Sequence, residues 1–186
     1  MTKNSEWLEK AIDLIKKHEG FRMYAYPDPL SHLGRTARHA GFGFKPAEQI
    51  IKIYKFNPKD GEPWTIGFGF TEGVSFRDGP MTLEQAESIL DGYVRSKYLT
   101  DLIDLCRARK IDFDSLPDEI KIALLNMIYA MGKNRLAKFE KMFEALKKRD
   151  YIGVSVEILN SVWASSQAPR RAREISNLVL SARDYL

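Results

Sequence analysis

The run Ile122-Ala-Leu-Leu-Asn-Met-Ile-Tyr-Ala-Met131 puts apolar side chains on almost every side of a helix. A helix of that kind must be surrounded by other protein or by lipid. It is far shorter than the roughly 20 apolar residues that a bilayer span requires. The run therefore predicts the buried centre of a helical lobe, ended by Gly132. Ser115 and Pro117 are expected to open that helix at the cap and first-turn positions those residues favour. No apolar run in the chain is long enough to span a membrane, and no stable membrane association is expected. With 186 residues and 44% apolar content, the chain suits a single domain, 1–186, with a substantial core.

Around this centre the patterns change along the chain. Trp7, Leu8, Ala11, Ile12 and Ile15 follow the three-and-four spacing of one helix face, predicting a helix over 6–19. Residues 20–76 hold most of the glycines and aromatics and predict a small β-containing lobe. Within it Trp64-Thr-Ile-Gly-Phe-Gly-Phe70 reads as a strand whose glycines permit close backbone approach. The second Gly-Phe-Gly-Phe string, Gly41–Phe44, reads as a paired strand or as coincidence. Thr82 with Gln85 fits a capping box, and the apolar stripe through Ala86, Leu90, Val94, Leu102 and Cys106 predicts a helix over 82–109. At about 1.5 Å per residue it would run about 42 Å if continuous, enough to join two lobes, with Gly92 and Thr100 as points of breaking or bending. Two or three shorter helices follow, and Pro169 opens the last, Arg170–Ser181. The expected class is α+β and bilobed: a small β lobe (20–76), a connecting helix (82–109), and a larger all-helical lobe (1–19 and 110–186).

Charge and cysteine content narrow the classes of function. A net charge of +4 and a pI near 9.1 permit anionic partners without choosing one. The aromatics are interleaved with glycine rather than with Lys or Arg, so nucleic acid is not an expected partner. Cys106, the sole cysteine, cannot form an internal disulfide and reads as a buried, inert thiol. The N-terminal residues lack the basic and then apolar pattern of a secretory leader, so none is expected. His32 and His39 have no acidic neighbour in sequence and no cysteine near them, so no metal and no cofactor is expected.

The stretch His18-Glu-Gly-Phe-Arg-Met-Tyr-Ala-Tyr-Pro-Asp28 carries the candidate chemistry. Gly20 should end the first helix, leaving Glu19 in its last turn. There the unpaired carbonyls disfavour ionisation, as a general acid needs. Asp28 falls in a proline-flanked turn where it stays solvated and ionised. Two carboxyls in unlike settings suggest a division of acid and base roles.

These residues, with Thr65-Ile-Gly-Phe-Gly69, resemble the phage-type lysozymes, the glycoside hydrolase family 24-like muramidases. The pattern is Glu-Gly at a helix end, an Asp after eight intervening residues, then Thr-Ile-Gly-aromatic-Gly. Leu125–Gly132, Ser161-Val-Trp163 and Gln167–Ala172 resemble the family's buried helix and C-terminal motif. The resemblance implies a lysozyme-like fold and assigns three catalytic residues. Glu19 would protonate the glycosidic oxygen, Asp28 would act across the sugar, and Thr65 would hold the attacking water. It places Thr71, Tyr129 and Arg171 at the substrate. Arg171 would reach Glu19 and lower its pKa; a structural ion pair is the other reading of Arg171, and a core position that of Tyr129.

Segment 29–62 departs from the family pattern and separates Asp28 from Thr65 by 36 residues. It holds six Lys/Arg and three Asp/Glu, +3 of the chain's +4. Pro46–Phe56 reads as a short helix or strand. Asp60, in a turn four residues before Trp64, rivals Asp28; the spacing from Glu19 favours Asp28. The segment is expected to be an ordered flap that strengthens wall binding in a salt-dependent way. The function implied is that of a monomeric endolysin-type muramidase acting on bacterial peptidoglycan. It would act from the host cytoplasm after a separate holin opens the membrane. The alternative is a virion-associated or catalytically inactive peptidoglycan-binding protein of the same fold.

Overall fold

A computed structural model describes residues 3–182 of the chain. Its elements are α1 (Lys3–Glu19), β1 (Arg22–Pro27), α2 (His32–Thr36), α3 (Ala47–Tyr54), β2 (Trp64–Gly67), α4 (Leu83–Tyr93), α5 (Leu99–Ala108), α6 (Asp118–Met131), α7 (Lys133–Leu136), α8 (Glu140–Lys147), α9 (Tyr151–Leu159) and α10 (Pro169–Ser181). Helices and one small antiparallel sheet give the expected α+β class. The chain divides into two compact units, residues 19–91 and residues 1–18 with 92–186.

In unit 19–91, β1 and β2 form a two-stranded ladder with Tyr26 opposite Thr65 and Pro27 opposite Trp64. The register slips between Arg22 and Tyr26, so β1 bulges there. The strand expected over 64–70 stops at Gly67. Gly67 and Gly69 take positive φ (64° and 96°), and the chain folds back so that Ile66 and Phe70 exchange both backbone hydrogen bonds at 2.9 Å. Gly41–Phe44 forms a turn rather than a strand, tied to β1 by the Tyr24 N–H donating to the Gly43 carbonyl. Segment 29–62 is ordered. It contributes α2, α3 and a 3-10 turn at Pro58–Gly61, and Leu33, Ala37, Ala47 and Ile51 share a core with Ala25 and Trp64. Of the apolar residues on α3, Ile50 and Ile51 are buried, whereas Ile53 and Tyr54 face solvent.

In the other unit, α6 is the buried centre, with Ile120–Ile128 all buried, and Gly132 ends it at φ 77°. α10 lies against α6 and α9, and α8 against α9. Trp7 meets Phe113 edge-on at 5.8 Å. The opening of α6 differs from expectation. Pro117 is itself the cap and Ser115 turns back to bond the Asp112 carbonyl, because the Asp112–Ser115 turn already uses that hydroxyl.

The Thr82 capping box forms as read: Thr82 N–H donates to Gln85 Oε1 (2.8 Å) and Gln85 N–H to Thr82 Oγ1 (3.1 Å). From Leu83 to Ala108 the helix is continuous, with a π-helical stretch at Val94–Tyr98. Gly92 and Thr100 flank that stretch without ending the helix. Ser96 and Thr100 hydroxyls bond the carbonyls four residues back, those of Gly92 and Ser96.

Candidate active site

Glu19 is the last residue of α1, and Gly20 at φ 67° releases the chain directly into β1. β1 then carries the chain past Tyr26 to Asp28, whose backbone is held from several sides. Its N–H donates to the carbonyls of Gly61 (3.1 Å) and Pro63 (3.2 Å), and its own carbonyl accepts from Ser31 N–H (2.9 Å) and Ser31 Oγ (2.7 Å). The carboxylate accepts the Leu30 N–H at 2.6 Å, an Asx turn that fixes its direction. Asp28 is thus a held carboxylate, half-buried at the end of a strand.

Thr65 sits on β2, 7% exposed, because all four residues of that strand are covered. Its strand partner is Tyr26. The Tyr26 phenol feels the charge of both candidate carboxylates. Burial pushes its pKa up to about 12, the negative charges of Glu19 and Asp28 push the same way, and the Arg22 guanidinium and a hydrogen bond from Thr65 oppose them. The phenol therefore stays protonated at neutral pH.

Tyr26 had no role in the sequence reading. The signal that finds it is its place two residues before Asp28 on a strand, facing Thr65 across the ladder. That signal needs the β1–β2 register, which local pattern does not give.

The remaining candidates lie apart from that cluster in the chain. Thr71 is exposed and lines a groove with Trp64 and Phe76. Tyr129 is half-buried, its ring 4.8 Å from that of Tyr98. Arg171 donates from Nε to Asn126 Oδ1 (2.7 Å) and from Nη2 to the Asn126 carbonyl (3.2 Å). Asn126 is fully buried and also meets His18 Nδ1, while His18 Nε2 lies 3.1 Å from Glu174 Oε2. Asp60 stands on the 3-10 turn, 4.0 Å from His32 Nδ1; the histidine that lacked an acidic neighbour in sequence has one in space.

Among the described residues no group of three or more His, Cys, Asp and Glu could hold a metal. No helix among them is long and apolar enough to cross a membrane.

No family model matches the chain. The chain is similar to a protein named "Probable T4-type lysozyme 2" from Dictyostelium discoideum, 23% identical over 165 residues, which cover 88% of this chain and 89% of that protein. The likeness supports a relationship to lysozymes, and the mostly helical chain with a two-stranded sheet fits a lysozyme-like fold.

Proposed function

We propose that the protein is a peptidoglycan muramidase that cuts the β-1,4 bond between N-acetylmuramic acid and N-acetylglucosamine. The observation that carries this reading is the ladder itself: β1 leads from Glu19 at the end of α1 to Asp28, and its Tyr26 pairs with Thr65 on β2. Glu19 gives its proton to the leaving glycosidic oxygen as the bond to the anomeric carbon breaks. A water held by the Thr65 hydroxyl attacks that carbon from the opposite face. Asp28 takes the water's proton and stabilises the positive charge that develops on the sugar. Each turnover leaves a free hydroxyl on one sugar and an inverted hemiacetal on the other, the outcome for carboxyls about 6.5–9.5 Å apart.

The similarity to a protein named as a lysozyme supports the glycosidase class. The phage-type pattern Glu19-Gly20, Asp28, Thr65–Gly69 supports an endolysin role. In that role a monomer leaves the host cytoplasm through a holin-opened membrane and lyses the wall. Thr71, Tyr129 and Arg171 are assigned to substrate contact on the same pattern.

The test is turbidity loss and new reducing ends from purified peptidoglycan. Glu19→Gln keeps the shape of the side chain and removes the acid, so activity should fall about 100- to 10,000-fold. Unchanged lysis by the folded variant would end the assignment.

A further inference from the structure

α9 reads Tyr-Ile-Gly-Val-Ser-Val-Glu-Ile-Leu, apolar on nearly every side, a pattern that calls for apolar surroundings all round. The fold supplies them on one side only. Tyr151, Val154, Ser155 and Ile158 are buried, where α9 packs on α8 and α10. The Ser155 and Ser176 hydroxyls are hydrogen-bonded at 2.6 Å, and the Asp150 cap accepts the Gly153 N–H at 2.8 Å. These bonds fix the rotation of the helix. Ile152, Val156 and Leu159 recur at helical spacing on the opposite face, and Val162 extends the stripe past the helix end. All four are between 44% and 68% exposed.

A basic surface borders this stripe. Residues 133–151 hold seven Lys/Arg and three Asp/Glu, a net +4 that equals the charge of the whole chain. Arg135, Lys138 and Lys141 line one cavity of about 500 Å³ together with Val162; Glu140 and Glu157 line it too, leaving cations in excess. Lys148 and Arg149 lie exposed just before the Asp150 cap. Among the described residues, the ion pairs of this stretch are those of Lys133 with Asp101 and Asp104 and of Lys147 with Glu144. The other five cations are not ion-paired.

Four exposed side chains fall far short of the roughly 20–30 residues a side of a stable protein interface. Two copies joined through this face would also oppose like charges. A hydrated glycan presents hydrogen-bonding groups, for which the stripe has no partner. A bilayer surface suits both halves of the face: apolar side chains enter the boundary of headgroup and acyl chain, and Lys and Arg meet anionic headgroups.

We propose that the α9 face docks reversibly on a bilayer that contains anionic lipid, the stripe entering the headgroup region between the flanking cations. This is a surface contact, distinct from a span, for which no helix among the described residues is long and apolar enough. It stands apart from the muramidase reading, because no candidate catalytic or substrate residue belongs to this face. In the test the full chain is floated with vesicles of phosphatidylcholine alone and of phosphatidylcholine mixed with phosphatidylglycerol. It should bind the anionic vesicles at least about tenfold better and leave them as salt rises. Val156→Ser with Leu159→Ser should weaken that binding about tenfold. Lys138→Gln with Lys141→Gln should weaken it about 20-fold, the product of two charges at the surface. Lys52→Gln with Ile53→Ser on α3 makes the same kinds of change elsewhere and should bind as the parent does. All six positions are exposed, and thermal unfolding checks that each variant is folded. Failure to bind anionic vesicles, or an equal loss from the α3 pair, overturns the proposal. So does a dimer that the Val156 and Leu159 changes break while vesicle binding persists, which would assign the stripe to a second copy.

Discussion

Tyr26 faces Thr65 across the two-stranded ladder, and the hydroxyls of the two are hydrogen-bonded. The phenol stays neutral beside a threonine whose hydroxyl would orient water. Burial and the charges of Glu19 and Asp28 raise its pKa from 10 to about 12. The sign of the linkage follows. The protonated phenol is favoured by the fold, so its contribution to stability is complete below pH 10 and is lost as pH rises from 10 to about 12. Tyr26→Phe should remove a late-titrating tyrosine from the absorbance titration at alkaline pH. The same variant should cut activity by about tenfold, while the sheet stays intact. Unchanged activity would make Tyr26 a packing residue only.

Asp28→Asn and Asp60→Asn should behave oppositely. Asp28 has its backbone held by four hydrogen bonds and its carboxylate aimed by Leu30 N–H, so the amide keeps the turn and loses the charge. Lysis should drop by at least about 100-fold. Asp60 is half exposed beside His32 and its variant should lyse the wall at close to the parent rate. The reverse result would move the catalytic aspartate to the 3-10 turn.

Gly34 should tolerate no side chain. A Cβ there would lie 1.9 Å from the Asp28 carbonyl oxygen and 2.8 Å from its carbon. Either α2 or the Asp28 backbone must move. Gly34→Ala should therefore destabilise the protein by about 1–3 kcal/mol in denaturant unfolding, and lower lysis further than that loss of stability accounts for. Normal lysis with normal stability would show that α2 shifts freely.

The Cys106 thiol is fully buried, and burial pushes its pKa up to about 11. A thiol-reactive dye should label the native protein at the rate of unfolding and the denatured protein at once. Rapid native labelling would place the helix around Cys106 in an open state.

Glu174 joins Lys17 and His18, and those two bonds hold its pKa below the usual glutamate value. The pair stabilises the fold above pH 4.5 and loses that contribution as pH falls through the lowered folded value. Glu174→Gln should flatten the acid limb of the stability–pH curve. An unaltered limb would show that the exposed side of the pair is screened to nothing.

Features set by near neighbours were legible in the sequence. Glu19 at a helix end with Gly20 after it, the Thr82–Gln85 box, the buried α6 with Gly132 and the Pro169 opening all depend on residues within a turn or two of each other. What depended on distant partners was not. The reversal at Gly67–Gly69 needs Phe70 to bond back to Ile66, an outcome that competes evenly with a longer strand. α2 has only five residues, too few to set a period, and it forms because Ser31 caps it while Asp28 holds Ser31. Ser115 was misplaced because its hydroxyl serves the turn before α6. Of the candidate site, Glu19 and Asp28 are singled out by their settings at a helix end and in a proline-flanked turn, and Thr65 by the resemblance to phage-type lysozymes; Tyr26 stays hidden because its ladder partner is a strand 39 positions away.

The Asp28 N–H is shared between the Gly61 and Pro63 carbonyls, at the far end of a segment that begins at Asp28 itself. Such a loop is not a passenger that evolution can trim at will. Shortening it removes the acceptors that hold the aspartate, so loss of the segment and loss of the aspartate's geometry are one event. Drift should concentrate at solvent-facing positions such as Ile53 and Tyr54 and avoid Gly34 and Gly61. A designer moving this aspartate to another scaffold would have to carry residues 28–63 as a single cassette.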